Sequence, residues 1–152
     1  MGLTIFLTIM SGVVTYVFGQ LVVKLLVEPV QDLRRTIGLI SHATIEHAGV
    51  FGNPGVSKVE VAQAASTELR RLSSQLQSHL YLVPAYDITA RVFRLPPREN
   101  LLEASKALIG LSNNLFHAGE RSIEWNMKWL AKVCDALGIY LEEGRRWPKE
   151  LT

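Results

Sequence analysis

The chain has 152 residues, 48% of them apolar and only 20% charged, with a formal net charge of +2 and one cysteine, Cys134. That length suits one compact domain rather than two once a membrane segment is set aside, and the small charge excess does not mark a nucleic-acid binder. A lone cysteine excludes an intrachain disulfide and a cysteine cluster for zinc.

The first element is apolar. Leu3–Val23 holds no charged residue, and Lys24 ends the run. At helical rise such a stretch spans about 30 Å, the thickness of a hydrocarbon core. No Lys or Arg precedes it, and no small-x-small cleavage site follows it, so the segment reads as an uncleaved anchor over residues 1–28 rather than a secretory signal. Lys24, Arg34 and Arg35 lie on the C-terminal flank. The positive-inside rule then places the N-terminus outside and the remaining domain in the cytoplasm. Ser11, Thr15 and Gly19 set small residues on one face of this helix, a pattern that suits helix pairing in lipid.

Residues 29–144 read as four helices in an antiparallel up-and-down bundle, giving an all-α fold. Helix one is expected over Val30–Phe51, with Leu33, Ile37, Ile40, Thr44, Ala48 and Phe51 inward and Pro29 in its first turn. Gly52-Asn53-Pro54-Gly55 is the turn. Helix two is expected over Lys58–Leu82, with a Ser57/Glu60 capping box and a stripe of Val61, Ala65, Leu69, Leu72, Leu76 and Leu80. The irregular stretch Val83–Pro97 has room for a short helix over Tyr86–Phe93. Helix three is expected over Arg98–His117. Helix four is expected over Glu120–Glu143 with Gly144 as its cap, and residues 145–152 form a basic polar tail.

This alternation turns the Val83–Pro97 segment and the C-terminal tail towards the bilayer. Arg91, Phe93, Arg94 and Arg98 in the first, and Arg145, Arg146 and Trp147 in the second, are therefore candidate contacts for anionic headgroups. Trp125 and Trp129, one turn apart, are candidates for a partner surface. His42, His47 and His117 with Glu46 and Glu120 are the residues from which a metal or ligand site in the bundle would be built. No nucleotide, zinc-protease or hydrolase motif is present, so no catalytic residue, cofactor or resident metal is expected.

The stretches Phe18–Gly38 and Leu95–Asn114 resemble small bacterial membrane proteins of uncharacterised function, with one N-terminal span and a helical cytoplasmic domain. That resemblance implies a bacterial inner membrane and brings no activity or residue role. The expected function is a membrane-anchored interaction, regulatory or scaffold module, partnered by the bilayer and by another protein or a second copy. The alternatives are a metal- or ligand-binding helical enzyme or sensor, and an oligomeric membrane-active protein.

Overall fold

The computed structural model describes residues 1–140. Its elements are α1 (Gly2–Val22), a π-helical turn (Val23–Val27), α2 (Glu28–Glu46), α3 (Ala48–Gly52), α4 (Val59–Leu82), α5 (Tyr86–Phe93), α6 (Arg98–Asn114) and α7 (Glu120–Leu137). All secondary structure among the described residues is helical.

α1, the π turn and α2 form one helical run of 45 residues, Gly2–Glu46, long and apolar enough to cross a membrane. Every residue from Met1 to Leu25 is exposed. A core helix of a soluble domain would bury such side chains, because each large apolar group left in water forfeits roughly 1.5–3 kcal/mol. Pro29 neither stops the run nor starts a separate helix. Its missing N–H deprives the Leu25 carbonyl of an α-helical donor, and its ring crowds that carbonyl. The turn just before it widens to the π spacing, with the Glu28 N–H bonded to the Val23 carbonyl, and the helix passes through.

Among the described residues five helices, α3–α7, follow this run, whereas four separate ones are expected of residues 29–144. The expected first helix is the continuation of the apolar one, and it breaks at His47 (φ −95°, ψ 12°). That break rotates Ala48 into solvent, contrary to its expected core position, while Val50 and Phe51 turn inward. The short α5 occupies the expected Tyr86–Phe93 segment.

The long helices alternate in direction. Thr36 Oγ1 meets His79 Nδ1 at 2.8 Å and His47 Nε2 meets Glu68 Oε2 at 2.8 Å, so α4 runs antiparallel to α2. α6 returns along α4, with Arg70 bonded to Asn113 and Gln77 to Ser105. α7 returns along α6, with Asn126 beside Asn114 and Lys132 beside Glu103. The core between them is built from Leu33, Ile40, Leu69, Leu72, Leu76, Leu101, Leu108, Leu111, Leu115 and Val133.

Several expected details differ. Lys58 caps α4 with no side-chain hydrogen bond, so the Ser57/Glu60 capping box is not made. Val61 is exposed and Ala62 takes the inward position. α6 ends at Asn114, short of His117. α7 ends at Leu137 because Gly138 adopts the left-handed conformation (φ 67°) that glycine alone enters without cost. Its expected end at Glu143, the cap Gly144 and the tail lie outside the described residues.

At the end of the domain far from the apolar helix, the two turns touch. The Gly55 N–H bonds the Leu115 carbonyl at 3.0 Å, and a Cβ at position 55 would lie 2.7 Å from the Ala118 nitrogen. This close approach, with φ 72°, requires glycine there.

Candidate functional site

α5 closes the opposite end of the domain. Pro84 ends α4, and Ala85 turns the chain in the left-handed region (φ 43°). Thr89 Oγ1 donates to the Pro84 carbonyl at 2.8 Å, and Tyr86 Oη donates to the Pro96 carbonyl at 2.7 Å. Arg94 then adopts φ 52°, and the Leu95 N–H closes back on the Ala90 carbonyl at 2.9 Å. Arg34 of α2 donates to the Phe93 carbonyl at 2.5 Å, fastening the end of α5 to the helix that carries the apolar run.

Tyr86 and Thr89 are buried and Phe93 packs partly on the core, while Ile88, Arg91 and Val92 stand exposed. Among the described residues Arg91 and Arg94 have no hydrogen-bond, ion-pair or ring partner, and the Arg98 guanidinium lies 5.4 Å from the centre of the Tyr81 ring. An open cleft of about 480 Å³ beside Arg94 is lined by Arg34, Ile37, Leu95, Asn100, Asp135 and Leu137, among others. Its charges are mixed in sign, and it presents no convergent set of catalytic groups. The candidate headgroup contacts Arg145, Arg146 and Trp147 lie outside the described residues.

Trp125 and Trp129 stack with centroids 6.2 Å apart and planes at 29°. Trp129 is half-buried against Gly110 of α6, where a Cβ would meet the indole at 2.8 Å. Trp125 is exposed, with Lys128 Nζ 5.5 Å from its ring centre. The pair is thus a fixed aromatic projection, one ring seated and the other offered to solvent.

The histidines do not assemble as the sequence suggested. His42 pairs with Glu46 at 3.3 Å on the exposed face of α2. His117 is exposed in the α6–α7 turn and takes no part in a ligand group with His47. His47 meets Glu68 of α4, and ligand atoms of Glu46, His47 and Glu68 lie within 4.8 Å of one another. The break at His47 creates this juxtaposition by leaving the helical path just where α4 passes. Arg71 Nη2 stands 3.7 Å from Glu68 Oε1 and supplies a competing positive charge.

Cys134 is buried on α7, and burial together with the neighbouring Asp135 pushes its thiol from 9.0 up to about 11. A thiol held protonated at neutral pH is a packing group, not a nucleophile. Two features escaped sequence reasoning. Asn126 is fully buried, donating to the Phe51 carbonyl at 3.0 Å and accepting from Asn114 at 2.8 Å. The outward Ile88/Val92 pair on α5 was signalled by its i,i+4 spacing opposite Tyr86, Thr89 and Phe93. Comparison with protein-family models, curated proteins and solved structures finds no match.

Proposed function

We propose that the chain is a single-pass, membrane-anchored helical module that works by binding a protein partner or a second copy of itself, and not by catalysis. The anchor comprises residues 1–28, the helical domain 29–144 and the tail 145–152. Lys24, Arg34 and Arg35 favour an orientation with the N-terminus outside and the domain in the cytoplasm. The resemblance of two stretches to small bacterial proteins favours an inner membrane.

The observation that carries the binding reading is the Trp125–Trp129 stack seated on Gly110. An exposed tryptophan already held in one geometry loses little entropy on binding, and tryptophan is among the residues most enriched at the energetic centres of interfaces. The test is a photo-crosslinking amino acid placed at Trp125 and, for comparison, at the exposed Gln63, in the full chain in native membranes. A discrete adduct at 125 and not at 63 is expected. A second copy in the adduct identifies a homo-oligomer, for which the Ser11/Thr15/Gly19 face of α1 is a further contact, and a different protein identifies a heterologous partner. Identical adduct patterns at both positions count against the reading.

The grouping of Glu46, His47 and Glu68 favours a second reading, a divalent-cation sensor. One imidazole and two carboxylates with a water satisfy a tetrahedral zinc ion. Arg71 opposes it. Zinc titration by calorimetry on the full chain and on His47→Ala decides between them: the sensor reading requires binding that the substitution abolishes.

A further inference from the structure

The antiparallel register of α2 and α4 sets the depth of α5. The pairs Thr36–His79 and His47–Glu68 share one register, so each residue gained along α4 is matched by one lost along α2. Leu82, the last residue of α4, therefore falls level with Leu33, and the turn after it comes down beside Pro29–Asp32. At about 1.5 Å per residue, Val30 lies about 9 Å beyond Lys24 and Leu33 about 14 Å. Lys24 marks the end of a run that fills a hydrocarbon core, and the headgroup layer adds about 5–8 Å on each side. The axis of α5 thus starts near the outer edge of the headgroup layer. Side chains on its lower face reach about 5–6 Å from a helix axis, so they extend through that layer towards the acyl chains. Arg34 holds the far end of α5 at the same end of the domain.

α5 turns Tyr86, Thr89 and Phe93 to the core, and the α2 members of that core, Leu33, Ile40 and Ala43, follow one another along α2 in the direction away from Lys24. The face left over carries Ile88 and Val92, 70% and 71% exposed, with Tyr81 and Leu82 exposed beside them at the end of α4. Arg91 near the end of α5, Arg94 just after it and Arg98 at the start of α6 are all exposed, three cations in this segment against Asp87 and Glu99. A helix with apolar residues on one side and cations at its flank lies in a membrane interface, its apolar side sunk to the acyl boundary. Basic side chains at that depth meet lipid phosphates.

We propose that α5 is an interfacial foot: Ile88 and Val92 enter the headgroup–acyl boundary of an anionic bilayer while Arg91 and Arg94 bind its phosphates. This inference rests on the membrane-anchored reading. With the anchor it gives the domain a second point of attachment, which fixes its tilt and the direction in which Trp125 projects.

The test uses the full chain with Cys134→Ala, bearing a nitroxide at Ile88→Cys, Val92→Cys, Gly12→Cys or Lys58→Cys. The chain is reconstituted in phosphatidylcholine vesicles with or without phosphatidylglycerol as one-third of the lipid. Collision with dissolved oxygen and with an aqueous nickel chelate is read at each label. Labels at 88 and 92 should be shielded from nickel severalfold relative to 58, in the same sense as the label at 12, and more strongly in the anionic vesicles. Labels at 88 and 92 as open to nickel as 58, with 12 shielded, overturn the foot and leave the anchor standing. A label at 12 open to nickel overturns both. Shielding at 88 and 92 that is equal in the two lipid mixtures overturns the requirement for an anionic bilayer, because phosphatidylcholine carries phosphate but no net charge. All four labelled positions are exposed, and an unchanged helical circular dichroism signal confirms that each chain is folded.

Discussion

Trp129 lies flat against the backbone of Gly110, with its Cε2 2.8 Å from the point where a Cβ would stand. Gly110→Ala sets two effects against each other. Alanine in a helix interior gains about 1 kcal/mol over glycine, while forcing extra volume into a packed contact costs about 1–3 kcal/mol. The indole is rigid and stacked on Trp125, and an approach of 2.8 Å is closer than a Cβ tolerates, so the cost wins, and a net loss of about 1 kcal/mol is expected in denaturant unfolding. The displaced Trp129 should also unstack Trp125 and redden the tryptophan emission. Gly38→Ala in α2, where a Cβ meets nothing within 4 Å, should have the opposite sign, gaining about 0.5–1 kcal/mol.

Asn126 ties α7 to α3 and α6 from a position with no solvent exposure. Asn126→Leu leaves the Phe51 carbonyl and the Asn114 amide without this partner. A buried polar group left unmet costs about 1–3 kcal/mol, so a loss of at least about 2 kcal/mol is expected. Amide exchange should accelerate first in Ala48–Gly52, because α3 is the short element that this bond holds.

Ser73 and Ser105 bond to each other at 2.7 Å in the buried α4–α6 seam, where Gln77 also donates to the Ser105 hydroxyl at 2.7 Å. Each single Ser→Ala change should cost about 1 kcal/mol. The double variant should cost less than the sum, since removing both hydroxyls strands neither. Urea unfolding of the full cycle measures the coupling.

Burial raises Cys134 from 9.0 up to about 11, and burial with Asp87 beside it raises the Tyr86 phenol from 10.0 to about 12. The folded chain keeps these protons at a pH where the unfolded chain has given them up. Stability is therefore complete below about pH 9 and falls as the pH rises towards 12. Cys134→Ala should flatten the lower part of that decline and Tyr86→Phe the upper part. Maleimide at pH 7 should leave Cys134 unmodified until the chain is unfolded.

Arg94 holds a left-handed conformation (φ 52°) at the end of α5, where glycine is the favoured residue. Arg94→Gly should stabilise the domain by about 0.5–1 kcal/mol and at the same time weaken contact with anionic vesicles. A stability gain coupled to a binding loss is what a residue kept for function against local preference produces.

The long apolar helix was legible because the twenty-one uncharged residues of Leu3–Val23 leave few structural options. The inward face of α4 was legible because leucines repeat at helical spacing, and Ala65, Leu69, Leu72, Leu76 and Leu80 of the expected stripe are buried. Ala48 and Val61 failed for a common reason: both sit within a turn of a helix break or start, where a small change in rotation swaps the face that periodicity assigns. The candidate site was harder. His42, His47 and His117 all carry metal-ligand chemistry, and nothing in their spacing distinguishes the one that meets a carboxylate from another helix.

The sequence by itself determined the helical content, the apolar run, the stop at Pro84 and the short helix over Tyr86–Phe93, because each depends on interactions within a few residues. Tertiary structure decided which neighbours those elements meet. It placed Glu68 beside His47, seated Trp129 on Gly110, buried Asn126 under the Phe51 carbonyl and brought Phe93 to Arg34. These relations depend on the relative rotation and register of separate helices. Those are set by the packing of the whole core, and no local pattern of residues records them.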